Sequence, residues 1–241
     1  IAPGNHDFWS ARSPWSAGAW PENVHIFSRS SLEAVELPGL GCTVYGAAFT
    51  APACDQSPLK GFAAPEDGRL HLMVLHGDVD GRGRYGSIDR ADIAASGLDY
   101  LALGHIHACS GLQREGNTWW AYPGCPEGRG FDELGDKGVL VVGAEKGNVS
   151  ARFAPLCRRR YRMLTVDLSG GENPAEALAA ALPRDGQNDI CRILLTGESG
   201  VEGLDLEALE AVAQPYFYSV TLRDRTRVRR DLWSRAEEDT L

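Results

Sequence analysis

A layered α/β sheet domain followed by a small α+β domain is the fold class that three features of the sequence predict. Short apolar runs punctuated by Gly and Pro fill roughly the first 157 residues, and an amphipathic helical stretch lies between two of them. The composition then changes at "PLCRRRYRMLTVDLSGGENP", after which strand-like and Ala-rich helical segments alternate to the end. The expected domains are therefore 1–157 and 158–241.

In the first domain, "VHIF" at 24, "TVYGAAF" at 43, "LHLMVLH" at 70, "DYLALGH" at 99, "GVLVVG" at 138 and "VSARF" at 149 read as strands. "SIDRADIAAS" reads as a helix: Ser87 is an N-cap candidate, Asp89 lies in the first turn, and Ile88, Ala91, Ile93 and Ala95 share one face. "SGLQREGNTWWAYPG" reads as a hairpin turning at Glu115-Gly116-Asn117. In the second domain the order is strand "YRMLTVDL", a helix opening at Pro174, strand "DICRILLTG", helix "DLEALEAVA" and strand "FYSVTLRD".

A chain of 241 residues with 43% hydrophobic content can bury two modest cores. Its longest apolar runs fall far short of the roughly 18 residues of a membrane span. Six cysteines without a CxxC pair fit free thiols in a cytoplasmic protein. A net charge of -9 argues against a protein that coats nucleic acid nonspecifically, while leaving room for a local basic groove. "RRRYR" at 158 and "RDRTRVRR" at 223 are the candidates for such a groove, although solvated or ion-paired arginines are the plainer expectation.

The chemistry concentrates in "GNHD" at 4–7, "HGD" at 76–78, "GHIH" at 104–107 and "YPGCPEGRG" at 122–130. His76 and His105 both fall where a strand gives way to a loop, the position at which open α/β sheets build their sites. In "GHIH" the one-residue gap lets His105 and His107 point the same way if the segment stays extended. Imidazole and carboxamide donors suit Mn, Fe or Zn better than Ca. Two such ions about 4 Å apart can activate water and clamp a phosphoryl oxygen. In "GNHD", Asn5 is then a candidate ligand, His6 a general acid and Asp7 the group that orients it. Singly, each motif has a plainer reading, as a structural histidine or a turn. Four of the six histidines falling into three such motifs is the joint signal, and His25 and His71 stay outside it.

With "GNHD", "HGD" and "GHIH" in this order, the chain resembles the calcineurin-like metallophosphoesterases. "SGLDYLALGHIHA" and "YPGCPEGRGFDELGDKGV" are similar to the DNA repair exonuclease branch, the SbcD- and YhaO-like proteins, and "RRRYRMLTVDLSG" and "RILLTGES" resemble that branch's capping domain. The resemblance implies a metallophosphoesterase-type sheet and a DNA exonuclease or endonuclease activity in DNA repair. It implies Asn5, His76 and His105 as ligands of one metal, His107 as a ligand of a second, and His6 as the catalytic histidine. It also implies two divalent ions, Mn first with Fe or Zn as alternatives, and as partners DNA and a coiled-coil ATPase, with no membrane; a homodimer is a further assembly to consider. Arg129 in "EGRG" is a candidate contact to substrate phosphate.

The family's Asp-x-His and Gly-Asp-x-x-Asp motifs do not occur before Gly4, and "GDVD" at 77–80 is out of place to replace them. The expectation is thus a first domain incomplete at its N-terminus, with partial or no metal occupancy and negligible hydrolysis by this chain alone. Two other functions stay open: a phosphodiesterase or phosphatase acting on small-molecule or protein phosphoesters, and a non-catalytic DNA- or protein-binding module.

Overall fold

The computed structural model describes residues 1–170, 173–199 and 203–228. Two compact units divide the chain: Ile1–Pro126 with Gly138–Pro155, and Glu127–Lys137 with the chain from Leu156 onward. The chain thus enters the second unit two residues before the expected boundary at 158. Residues 127–137, which local sequence assigns to the first domain, group with the second, because Leu134 bridges to Tyr161 and the Gly135 N–H donates to the Tyr161 carbonyl.

The first unit carries β1 (Glu33–Leu37), β2 (Cys42–Gly46), β3 (Leu70–His76), β4 (Tyr100–Gly104), β5 (Gln113–Glu115), β6 (Thr118–Ala121), β7 (Gly138–Glu145) and β8 (Asn148–Pro155), with helices α1 (Pro14–Ala17) and α2 (Arg90–Ala95). Six strands form one sheet in the order β1-β2-β3-β4-β6-β5. The central β2, β3, β4 and β6 run parallel, flanked by antiparallel β1 and β5. β7 and β8 pair as a separate hairpin.

Apolar residues at both parities of β3 and β4 let the sheet bury two faces, as parallel strands require. Met73, Leu75, Leu101 and Leu103 join Leu59, Ile88 and Ile93 of α2 and its approach in one core. Tyr100 and Ala121 face the other way and pack with Val149, Leu140 and Val142 of the hairpin. His71 faces inward at 1% exposure, its Nε2 set against Asp67 Oδ1 at 2.9 Å and its Nδ1 against the Tyr45 hydroxyl at 3.3 Å, a structural pairing.

Three local expectations differ. Residues 24–27 form no strand; the Phe27 N–H donates to the Ile1 carbonyl and the ring lies buried against Gly46, where a Cβ would come within 2.1 Å of it. β1 forms from "EAVEL", whose two glutamates mask the strand signal and stand at a half-exposed sheet edge. The N-cap of α2 is Asp89, while the Ser87 hydroxyl donates to the Gly81 carbonyl.

The second unit contains β9 (Tyr161–Asp167), α3 (Pro174–Ala181), β10 (Ile190–Thr196), β11 (Glu198–Ser199), α4 (Leu206–Ala213), β12 (Ser219–Asp224) and β13 (Arg227–Val228). β9, β10 and β12 pair in parallel. Helices between parallel strands make this an α/β arrangement rather than the expected α+β one. Asn173 and Asp205 cap the helices through their side chains, accepting from Ala175 and Ala208 N–H groups. Leu178 and Leu209 bring the helices onto Val166, Ile193 and Leu222.

Arg160 and Arg162 of "RRRYR" converge on Asp189, a 1%-exposed carboxylate, at 2.9 and 3.3 Å. Positions 229 and 230 of the second arginine-rich segment lie outside the described residues. None of the six cysteines is in a disulfide, and among the described residues no helix is long and apolar enough to cross a membrane.

Candidate functional site

Gly46, His76, Gly104 and Ala121 end four neighbouring parallel strands, so the segments that follow them share one edge of the sheet. His76 pairs in register with Gly104, which sets His105 beside it; the two imidazole centroids lie 5.1 Å apart, edge to face. His105 has φ of 108°, a region that a side-chain-bearing residue occupies at a cost of about 1–3 kcal/mol when the surroundings enforce it.

Asn5 arrives from far away in sequence. The Phe49 N–H after β2 donates to the Pro3 carbonyl at 3.0 Å and the Phe49 carbonyl accepts from Trp9 N–H at 2.7 Å, which straps residues 3–9 across the strand ends. Within that strap Asn5 is buried, and its Oδ1 accepts from His76 Nε2–H at 2.8 Å. The His76 ring fills the space above two glycines: a Cβ on Gly4 would stand 2.5 Å from its Cε1, and one on Gly104 would stand 3.1 Å from its Nδ1. Phe49 closes another side, 5.3 Å away edge to face.

This enclosure decides the charge state. Burial, reinforced by the His105, His6 and His107 imidazoles, lowers the His76 pKa to about 4, with Asp7 opposing. Burial also lowers that of His105, opposed by Asp78 and reinforced by His107 and His6. Both imidazoles are therefore held toward the neutral form that binds a metal. His6, Asp7 and His107 are exposed at the rim, and the His107 carbonyl accepts from the Cys125 thiol at 3.7 Å.

Asp7 makes bonds within its own turn. Its Oδ1 accepts from the Gly4 N–H at 2.8 Å and its carbonyl from Trp15 Nε1–H at 2.6 Å. The carboxylate thus closes the turn that carries Asn5. Arg129 belongs to the second unit, where its backbone N–H donates to Glu133 Oε2 at 2.8 Å.

Sequence reasoning missed Tyr122. This residue follows β6, is buried, and clamps the loop after His76: its hydroxyl donates to the Gly77 carbonyl and accepts from the Val79 N–H at 3.0 Å. Burial pushes its pKa up to about 12, so it stays a donor. Tyr85, 5.3 Å from His105, was also missed; both tyrosines lay in quoted motifs or beside them, without a spacing that marks them. The donor set of carboxamide oxygen and neutral imidazoles fits a divalent transition ion.

No protein-family model matches the chain. It is 30% identical over 247 residues to a Bacillus subtilis (strain 168) protein described as an uncharacterized metallophosphoesterase, YhaO; the match takes in 92% of this chain. The chain spans 60% of that relative's length. The chain is thus similar in sequence to a metallophosphoesterase, and it gathers imidazoles and a carboxamide at the carboxyl edge of a parallel sheet.

Proposed function

We propose that the chain serves metal-dependent hydrolysis of phosphodiesters, with DNA as the substrate and a nuclease role in DNA repair. The observation that carries the reading is the meeting of Asn5 and His76 at 2.8 Å with His105 alongside, three neutral donors from distant parts of the sequence. Asn5, His76 and His105 would hold one divalent ion and His107 a second, with Mn the first choice and Fe or Zn the alternatives. Bound there, the ions would supply charge to the phosphoryl oxygens and lower the pKa of water.

Hydrolysis forms one P–O bond from water and breaks one P–O ester bond, so the departing oxygen needs a proton. In this reading His6 gives it: its imidazole is exposed next to Asn5 in the chain, and a donor of this kind is worth about 100-fold or more in rate. Asp7 contributes by fixing the turn, through Gly4, on which both His6 and Asn5 ride.

The test, run on the full-length protein, combines metal analysis with hydrolysis of linear duplex DNA and of a small phosphodiester in added Mn. His6→Ala is expected to keep its metal and lose turnover about 100-fold. His105→Ala is expected to lose metal. Metal loss in the first variant with an intact rate per bound ion would reverse the two roles, and hydrolysis confined to the small substrate would remove DNA from the reading.

A further inference from the structure

Next to the histidine cluster stands a pair of tryptophans that the reaction above does not use. Trp15, in α1, sends its indole N–H to the carbonyl of Asp7 at 2.6 Å. Trp20 sends its own to the carbonyl of Trp15 at 3.1 Å and stacks on it, with centroids 5.6 Å apart and planes inclined by 24°. Indole has one polar group, a donor. Both donors are spent on backbone, so the rings offer only apolar π surface, and Trp20 remains 41% exposed.

The surrounding segment holds this arrangement rather than leaving it to chance. The Ser13 hydroxyl donates to the Ser10 carbonyl at 2.9 Å, and the Ser16 hydroxyl donates to the same carbonyl at 2.7 Å. Gly18 lets the chain double back, since a Cβ there would stand 3.2 Å from Trp20 Nε1. An exposed indole surface kept ordered at such a cost, and bonded to the residue after His6, is suited to a flat ligand ring.

We propose that the Trp15–Trp20 stack is a binding shelf for a nucleobase of the substrate, one that selects phosphodiesters flanked by a base over those without one. The inference rests on the phosphodiesterase reading and adds a recognition element to it. Stacking on indole tolerates any base because every base presents a π face, so the shelf confers preference for nucleotides without sequence specificity. It also needs no positive charge, consistent with a chain whose net charge is -9.

The experiment compares, in the full-length protein and in Mn, a dinucleotide with its abasic phosphodiester analogue for wild type, Trp20→Ala and Trp20→Phe. Titration of tryptophan fluorescence with thymidine monophosphate and with ribose 5-phosphate runs alongside. Wild type is expected to favour the base-bearing substrate through KM. Trp20→Ala should raise KM for the dinucleotide about 10-fold, while Trp20→Phe should recover most of the difference. Thymidine monophosphate should quench fluorescence in wild type and far less in Trp20→Ala, with ribose 5-phosphate inert. Hydrolysis of both substrates with equal KM, and no quenching by the nucleotide, would overturn the shelf and leave the phosphodiesterase reading standing. Absence of hydrolysis with base-dependent quenching retained would do the reverse.

Discussion

The hydroxyl of Tyr122 donates to the carbonyl of Gly77 at 2.7 Å, across 45 residues of sequence. Through this bond and the one accepted from Val79, β6 governs the loop that leaves His76. Tyr122→Phe keeps the ring packing and orphans the buried Gly77 carbonyl and the half-buried Val79 N–H. The expected cost is about 1–3 kcal/mol in urea unfolding. Mn affinity should weaken about 10-fold by calorimetry, the scale of losing a group that orients a ligand; unchanged affinity at reduced stability would make Tyr122 purely structural.

Gly4 leaves no room for a side chain. In Gly4→Ala the new methyl would stand 2.5 Å from His76 Cε1, and Gly104 on another side of the ring blocks an easy retreat. Such overpacking costs about 1–3 kcal/mol. The ring should also lose its bond to Asn5, which the imidazole and carboxamide resonances in NMR spectra would report.

The acid sensitivity of the metal-free chain has a predicted sign. His76 titrates near 4 when folded against an ordinary 6.5, because burial and neighbouring imidazoles oppose its charge. Between those values the unfolded chain binds a proton that the folded chain refuses. The stability from this site is complete above 6.5 and is lost as pH falls toward 4. In EDTA, the urea midpoint of wild type should drop between about pH 7.5 and about pH 4.5 by more than that of His76→Gln.

In the second unit, Asp189 accepts from Arg160 Nε and Nη2 at 2.9 and 3.2 Å and from Arg162 Nη1 at 3.3 Å. Asp189→Asn leaves two guanidinium groups facing a neutral amide. Both arginines are about one-third exposed, so water softens the loss to about 1–3 kcal/mol. Chemical denaturation of the variant should show it, and an equal effect from Asp185→Asn, whose carboxylate is 71% exposed, would contradict the assigned importance of burial.

Period and punctuation made much of the fold legible. "LHLMVLH" and "DYLALGH" are β3 and β4, the turn at Gly116 joins β5 to β6, and Pro174 and Asp205 open the helices where capping chemistry places them. These signals are local, carried by residues within one turn or one strand. His76 at the end of β3 and His105 after β4 were legible for the same reason, as polar residues ending apolar runs.

What local sequence could not carry was decided by tertiary contact. Asn5 and His76 stand 71 residues apart and meet because β2 and β3 are parallel neighbours and Phe49 straps the first turn across their ends. Asp7 reads as an orienter of His6, and the folded turn adds a bond that local sequence does not announce, its Oδ1 accepting from the Gly4 N–H. Residues 127–137 join the second unit because backbone pairing with Tyr161 outweighs their position in the chain. His71 and His76 share one strand, yet one is sealed between Tyr45 and Asp67 and the other lies at the candidate metal site. The sequence by itself determined where strands end and which donors stand there; only the folded sheet, which sets the distance and burial between remote residues, determined which donors meet and in what charge state.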